Sequence, residues 1–200
     1  MLEPAWRKAQ VIKNFLIPVT MKPAISKTEV RMLWDDQYLY VAFKAYDKDI
    51  KSVLTKRDDP TCTEDCLEIF IKPDAENTAY CNFEINALNT VFDALNHTMR
   101  EPGAEKWNCE GLRSAVWIKG TINDSSDVDS YWQLEEAIPL KELPLHDGKL
   151  PQVGDTWKFH VARYDYSKYL PEGMELSSCA HLTKADFHDA AEWCTLKFAK

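Results

Sequence analysis

The sequence predicts an all-β protein, a two-sheet antiparallel β-sandwich of about nine strands. Short runs alternate apolar and polar residues with a period of two, turn residues separate them at short intervals, and almost nothing reads as helix. The 200 residues carry no internal repeat, low-complexity tract or composition break, so one domain over 1–200 is expected.

Taken in order, the first segment has little periodicity and contains Pro18 and Pro23; it reads as an irregular approach to the sheet with Trp6 against the core. Val30–Trp34 is a strand, Asp35-Asp36-Gln37 its turn and Tyr38–Tyr46 the return, with Leu39, Val41, Phe43 and Ala45 on one face. A polar loop over 51–64 leads to the central hairpin. Leu67–Lys72 and Ala79–Asn86 flank a turn containing Pro73, Asp74, Glu76 and Asn77. Asn89 supplies a left-handed turn residue, and Thr90–Leu95 is a short strand. Asn96–Gly111 is a loop with Trp107 and Cys109. Leu112–Ile122 and Tyr131–Ile138 are strands, Pro139–Leu143 one helical turn, and Thr156–Asp165 a strand with Phe159, Val161 and Arg163 opposite His160 and Tyr164. Tyr166–Asp189 is a long connection, and Trp193–Ala199 closes the sheet.

A formal charge of −8 argues against nucleic acid, an anionic membrane surface or a strongly acidic polysaccharide as partner. No apolar run approaches the length of a membrane span. MLEPAWRKAQ lacks the basic start and apolar core of a signal peptide. Six cysteines (Cys62, Cys66, Cys81, Cys109, Cys179 and Cys194) suggest an oxidising compartment, with the pairing left open. Cys66 and Cys81, within strands, also fit plain buried thiols, and without a CxxC pair zinc is the weaker reading.

The central hairpin carries the chemistry. Leu67, Ile69, Ile71, Cys81, Phe83 and Ile85 make an oily face; Glu68, Phe70, Asn82, Glu84 and Asn86 make the other. Acids and amides beside an aromatic ring, with no run of Lys to neutralise them, suit a neutral partner rich in hydroxyls. The plainer reading is a solvated sheet face whose acids pair with nearby Lys or Arg.

The stretches VRMLWDDQYLYVAFKAYDKDI, the Arg57-Asp58 pair before DCLEIFIKPD, YCNFEINALNTVFDA, WNCEGLRSAVWIKGT, WQLEEAIPLKEL, GDTWKFHVARYD and LSSCAHLTKADFHDAAEWCTLKF follow one another along the chain. Together they resemble the family 9 carbohydrate-binding modules, in particular such domains of secreted bacterial proteins of polysaccharide metabolism. They occur in family order and cover nearly the whole chain. The resemblance implies an immunoglobulin-like sandwich that binds saccharides without cleaving them, the partner being an oligo- or polysaccharide derived from xylan or glucan, with chain ends among the expected ligands. It also implies a secreted, cell-surface or periplasmic location, with the chain a module of a larger glycan-degrading protein.

Carried over by position, one clamp aromatic falls on Phe187, and the hydrogen-bonding positions on Glu68, Glu84 and Asn86. Arg163 reads either as a fork that orders the two glutamates and donates to a sugar oxygen or as a structural salt bridge. The chain departs from the family where a second clamp Trp is usual, at Cys62, and again at Cys179 and at Trp193-Cys194. Trp107 or Trp193 is then expected to supply the missing stacking surface. No cofactor is required by this reading. Structural calcium, which family members can carry, could use the Asp47/Asp49 or Asp58/Asp59 acids.

Two other classes compete. As an enzyme, the chain would use Glu68 and Glu84 as a glycosidase pair; Glu135 and Glu136 point to opposite faces and cannot cooperate, and no GxSxG, HExxH or phosphate-binding glycine loop is present. As an interaction or structural domain, it would keep the sandwich with a degenerate sugar site; a related sandwich class binds haem through Met and His.

Overall fold

In a computed structural model describing residues 4–199, the chain forms ten strands in two antiparallel sheets, with no α-helix among the described residues. The ends of the expected 1–200 domain, 1–3 and 200, lie outside the described residues. The strands are β1 Thr28–Trp34, β2 Tyr38–Tyr46, β3 Cys66–Lys72, β4 Tyr80–Asn86, β5 Val91–Asn96, β6 Arg113–Lys119, β7 Tyr131–Pro139, β8 Thr156–Tyr166, β9 Met174–Ser178 and β10 Cys194–Lys197. One sheet runs β1-β2-β7-β6. The other runs β10-β8-β3-β4-β5, with β9 also on β8.

Local chemistry sets the turns. Asp35 Oδ1 accepts from the Gln37 and Tyr38 amides, both at 2.8 Å, closing the β1–β2 hairpin. Asn89 sits at φ 64° between β4 and β5, a conformation an Asn side chain tolerates. Pro139–Leu143 forms a short 3₁₀ turn over Leu140–Glu142. The N-terminal segment buries Trp6 and lays Leu16 against Ser178 of β9 through paired amide–carbonyl bonds of 2.8 and 2.9 Å.

One strand was not expected. Met174–Ser178 lay within the long connection, yet it pairs with Ala162–Tyr166. Five residues with polar Glu175, Ser177 and Ser178 carry too little alternation to announce a strand, and its pairing with β8 is non-local. β9 and β10 share one edge of β8, β10 on Thr156–Phe159 and β9 on its second half. Between them residues 179–193 leave the sheet plane.

The sheets pack their oily faces together, with Phe43, Val41, Trp132 and Leu134 meeting Leu67, Ile69, Phe83, Ile85 and Val161, all essentially water-free. One acid interrupts this core. Glu136 stands on the inner face of β7, between Val41 and Ser114 in register, and neither carboxyl oxygen has a hydrogen-bond partner among the described residues. Burial alone pushes its pKa from 4.5 up to about 8, so it is a neutral acid at the pH of most compartments. An acid raised on folding stabilises fully below pH 4.5 and loses that contribution, about 1.4 kcal/mol per unit, as pH rises from 4.5 to about 8. Urea titrations at several pH values across this window should therefore show Glu136→Gln gaining stability over the parent as pH rises, by several kcal/mol at the top. Parallel pH profiles for the two proteins would refute the assignment of a neutral Glu136.

Candidate functional site

β3 and β4 are buried on both faces, and their outer face holds the acids that alternation predicts. Glu68 and Glu84 are direct cross-strand partners, 2% and 7% exposed. Their carboxyl groups hydrogen-bond each other. Glu84 also accepts from Thr61 Oγ1 and from Asn82 Nδ2, each at 3.2 Å, and Asn82 Oδ1 accepts from Asn96 Nδ2 at 3.1 Å. Glu68 Oε2 has no partner among the described residues.

Burial, then the charge of Glu84, raises the pKa of Glu68 well above the carboxylate range; burial raises that of Glu84 against the hydrogen bonds it accepts. Two carboxyl groups in contact away from water cannot both ionise, so the pair keeps a proton, held mainly by Glu68. Arg100 is the cation whose field reaches Glu68, and its guanidinium pairs with Asp186 at 2.6 Å.

Around this pair the expected site residues scatter. Phe187 and Trp193 do not stand exposed; they are 4% and 3% accessible and form a second apolar cluster with Phe70, Tyr80 and Leu182 over the sheet's outer face. Trp193 Nε1 donates to Phe187 O at 2.9 Å, fixing the covering segment to itself. Trp107 packs on Phe83, 6.2 Å between centroids, against the inner core rather than beside the glutamates. Asn86 shares the acids' face, but its side chain is spent. It accepts from Leu88 and Thr90 amides at 3.0 and 2.8 Å and donates to Leu54 O at 2.9 Å and Glu64 at 2.5 Å.

Arg163 does not order Glu68 and Glu84. It pairs in register with Leu67, on the sheet's inner face, and its guanidinium meets Asp47 at 2.9 Å and Asp165 at 3.0 Å, fully buried. Its parity with Phe159 and Val161 already put it on that face. Asp47, Asp65 and Asp165 bring ligand oxygens within 4.8 Å of one another, all buried. Burial, set against the Arg163 charge, leaves Asp47 raised, and burial with neighbouring acids raises Asp65 further. Such an all-oxygen donor set suits a hard cation such as calcium, and Asp165 Oδ1 lacks a partner among the described residues. Arg163 already supplies one positive charge there. Asp47 belongs to the acids expected for calcium; Asp58 and Asp59 lie elsewhere, in the 57–60 turn.

Three contributors to the site escaped the sequence reading. Arg100 stood in an unpatterned loop, and Thr61 reaches Glu84 only because a 3₁₀ turn over Thr61–Thr63 folds onto β4. Tyr164 is half-buried on the outer face, and burial followed by the field of Glu68, Cys62 and Glu84 raises its hydroxyl pKa. Its signal was present, since strand parity places it with His160 and opposite Arg163. Cys62, at the usual Trp position, is half-exposed beside the same acids, which with burial push its thiol up to about 12.

The fold is an antiparallel two-sheet sandwich whose second sheet carries acids and amides on its outer face. The whole sequence, residues 1–200, matches the family model described as carbohydrate family 9 binding domain-like, and the chain belongs to that family. Among solved structures it is similar to a proposed carbohydrate-binding protein from Bacteroides uniformis ATCC 8492, at TM-score 0.74 and 16% identity over 96% of this chain and 87% of that one. It is similar also to a family 9 module from Caldicellulosiruptor kristjanssonii in complex with cellotriose, at TM-score 0.70 and 13% identity over 100% and 87% of the two chains. The structure of such a module from the same organism with glucose gives 0.68 and 14% over 100% and 90%. No curated protein matches the sequence.

All six cysteines are free thiols. Cys179, just after β9, and Cys194, opening β10, meet at the break on the β8 edge with sulfurs 3.8 Å apart. The Cys179 thiol, then Lys158 against burial, lowers Cys194 to about 7, whereas burial raises Cys66 and Cys81 well above normal. Iodoacetamide should modify Cys194 first, at a rate that rises through about pH 7 and a fast phase absent from Cys194→Ser. Equal, slow labelling of all six thiols would rule out this ordering.

Proposed function

We propose that the chain is a non-catalytic saccharide-binding domain over 1–200 that takes a neutral xylan- or glucan-derived oligosaccharide at the Glu68–Glu84 pair. The observation carrying this reading is the family match over the whole chain, together with the Glu68–Glu84 pair, which is 2% and 7% exposed, so that a sugar reaches it only past the half-buried Tyr164 and Cys62. A sugar hydroxyl both donates and accepts, and the pair with Asn82 matches both roles. The family relatives solved with cellotriose and glucose support a glucan ligand. We assign the stacking ring to Tyr164, half-exposed next to the acids, in place of the buried Phe187 and Trp193.

The spacing supports binding rather than cleavage. A retaining glycosidase holds its carboxyl groups about 5 Å apart across the scissile bond, and an inverting one farther. Here they are direct cross-strand partners whose titrations are coupled, an arrangement closer than either. No helix among the described residues is long and apolar enough to cross a membrane. A secreted or surface location, as a bacterial module attached to a glycan-degrading protein, is the reading that suits a polysaccharide ligand.

Calorimetry with cellotriose and xylotriose should detect binding by the parent. Glu84→Gln and Tyr164→Ala should each weaken it about tenfold or more, the scale of a hydrogen bond to a charged group or a lost stacking face. Phe187→Ala should act mainly on the melting temperature, since that ring is core. No binding across a broad glycan panel, or binding indifferent to both site variants, would reject the proposal.

A further inference from the structure

The outer face of the four-stranded sheet is built unlike the Glu68–Glu84 face. Strand parity turns Tyr38, Tyr40, Ala42, Lys44 and Tyr46 of β2 outward, beside Tyr131, Gln133, Glu135 and Ala137 of β7. The edge strand β6 adds Arg113, Ala115, Trp117 and Lys119, all exposed. Rings gather at both ends. At one, Trp117 and Tyr46 flank Tyr131 with centroids 5.4 and 6.1 Å away; at the other, Tyr38 and Tyr40 lie 5.8 Å apart. Between them the row Ala115, Glu135, Ala42 keeps the middle shallow. Six residues of strand separate Tyr46 from Tyr40, about 20 Å, a span for a chain rather than a single ring.

Cations accompany the rings. The Lys44 ammonium lies 4.0 Å from the Tyr131 centroid and 4.7 Å from that of Tyr46, Lys119 lies 5.8 Å from Tyr131, and the Arg113 guanidinium lies 5.5 Å from Tyr38. Counting Arg31 and Glu29 of β1, which pair at 3.5 Å, this face carries more cations than acids on a chain of net charge −8. Trp117, 54% exposed, is too large and too open to be explained as packing.

We propose that this face is a second saccharide-binding surface, for a polysaccharide chain bearing carboxylate groups, a uronate-containing glycan. The rings offer stacking faces to the C–H sides of successive sugars, and Lys44, Lys119 and Arg113 beside them offer charge to the carboxylates. Charge complementarity selects this occupant, because Lys44, Lys119, Arg113 and Arg31 outnumber Glu29 and Glu135 on this face. The proposal stands independently of the Glu68–Glu84 reading.

Affinity electrophoresis of the full chain through polygalacturonate and, in parallel, through neutral xylan tests it. Polygalacturonate should retard the parent, and Trp117→Ala and Lys119→Glu should each weaken that about tenfold at an unchanged melting temperature. Retardation should fade between about 0.1 and 1 M salt, as the screening length falls from about 10 to 3 Å. Glu84→Gln should leave it intact, which separates this surface from the first site. Absence of retardation by polygalacturonate, or retardation that ignores both face variants, overturns the proposal. So does a concentration-dependent dimer abolished by Trp117→Ala, which would make the face a contact between copies.

Discussion

Two carboxyl groups facing each other across hydrogen-bonded strands, with water excluded, set the terms for one half of this molecule. β3 and β4 have no solvated face, so Glu68 and Glu84 had to find partners within the protein or stay neutral. They do both. Thr61 and Asn82 bond Glu84 while a retained proton joins the two acids. That proton gives the pair a donor and an acceptor at one point, which two ionised carboxylates would lack. The covering segment between β9 and β10 depends on the same arrangement, since an ionised, water-seeking pair would resist a lid of Phe187 and Trp193.

The inner face of the same sheet solves the problem of buried acids differently. Asp47 and Asp165 are held by the Arg163 guanidinium, which also donates to the Tyr46 carbonyl at 2.9 Å and so ties β8 to the end of β2 in the opposite sheet. Removing that cation would strand three carboxyl groups in a dry site, a far larger loss than the pair contributes over apolar packing. Glu136 shows a third solution, with neither cation nor hydrogen bond: it stays protonated.

Much of this was legible along the chain, because a period of two fixes which side chains share a face. Alternation put Glu68, Glu84 and Asn86 together, set the ends of β2 correctly, and separated Arg163 from Tyr164. It could not report what lies above a face. Residues 179–193 are distant in sequence from β3, and only the division of the β8 edge between β9 and β10 sends them over the glutamates. Hence Phe187 read as an exposed loop ring and is core, while Tyr164, in a strand, remains half-open. Asn86 misled for a related reason. An amide on a polar face looks like a ligand group until Leu54 and Glu64 take its two N–H donors and the Leu88 and Thr90 amides its oxygen.

Net charge misleads in the same way, because it counts groups without placing them. Several of the acids behind the formal −8 lie in the interior, and Glu136 and Glu68 hold protons there at neutral pH. Interior acids that are neutral or paired project little field to the surface, whereas Lys119 and Arg113 stand in solvent on an edge strand. An acidic chain can therefore show a basic aromatic face without contradiction. The two sheets then present opposite chemistries to solvent, one acidic and mostly covered, the other cationic and open, and any charged partner meets the local field rather than the sum.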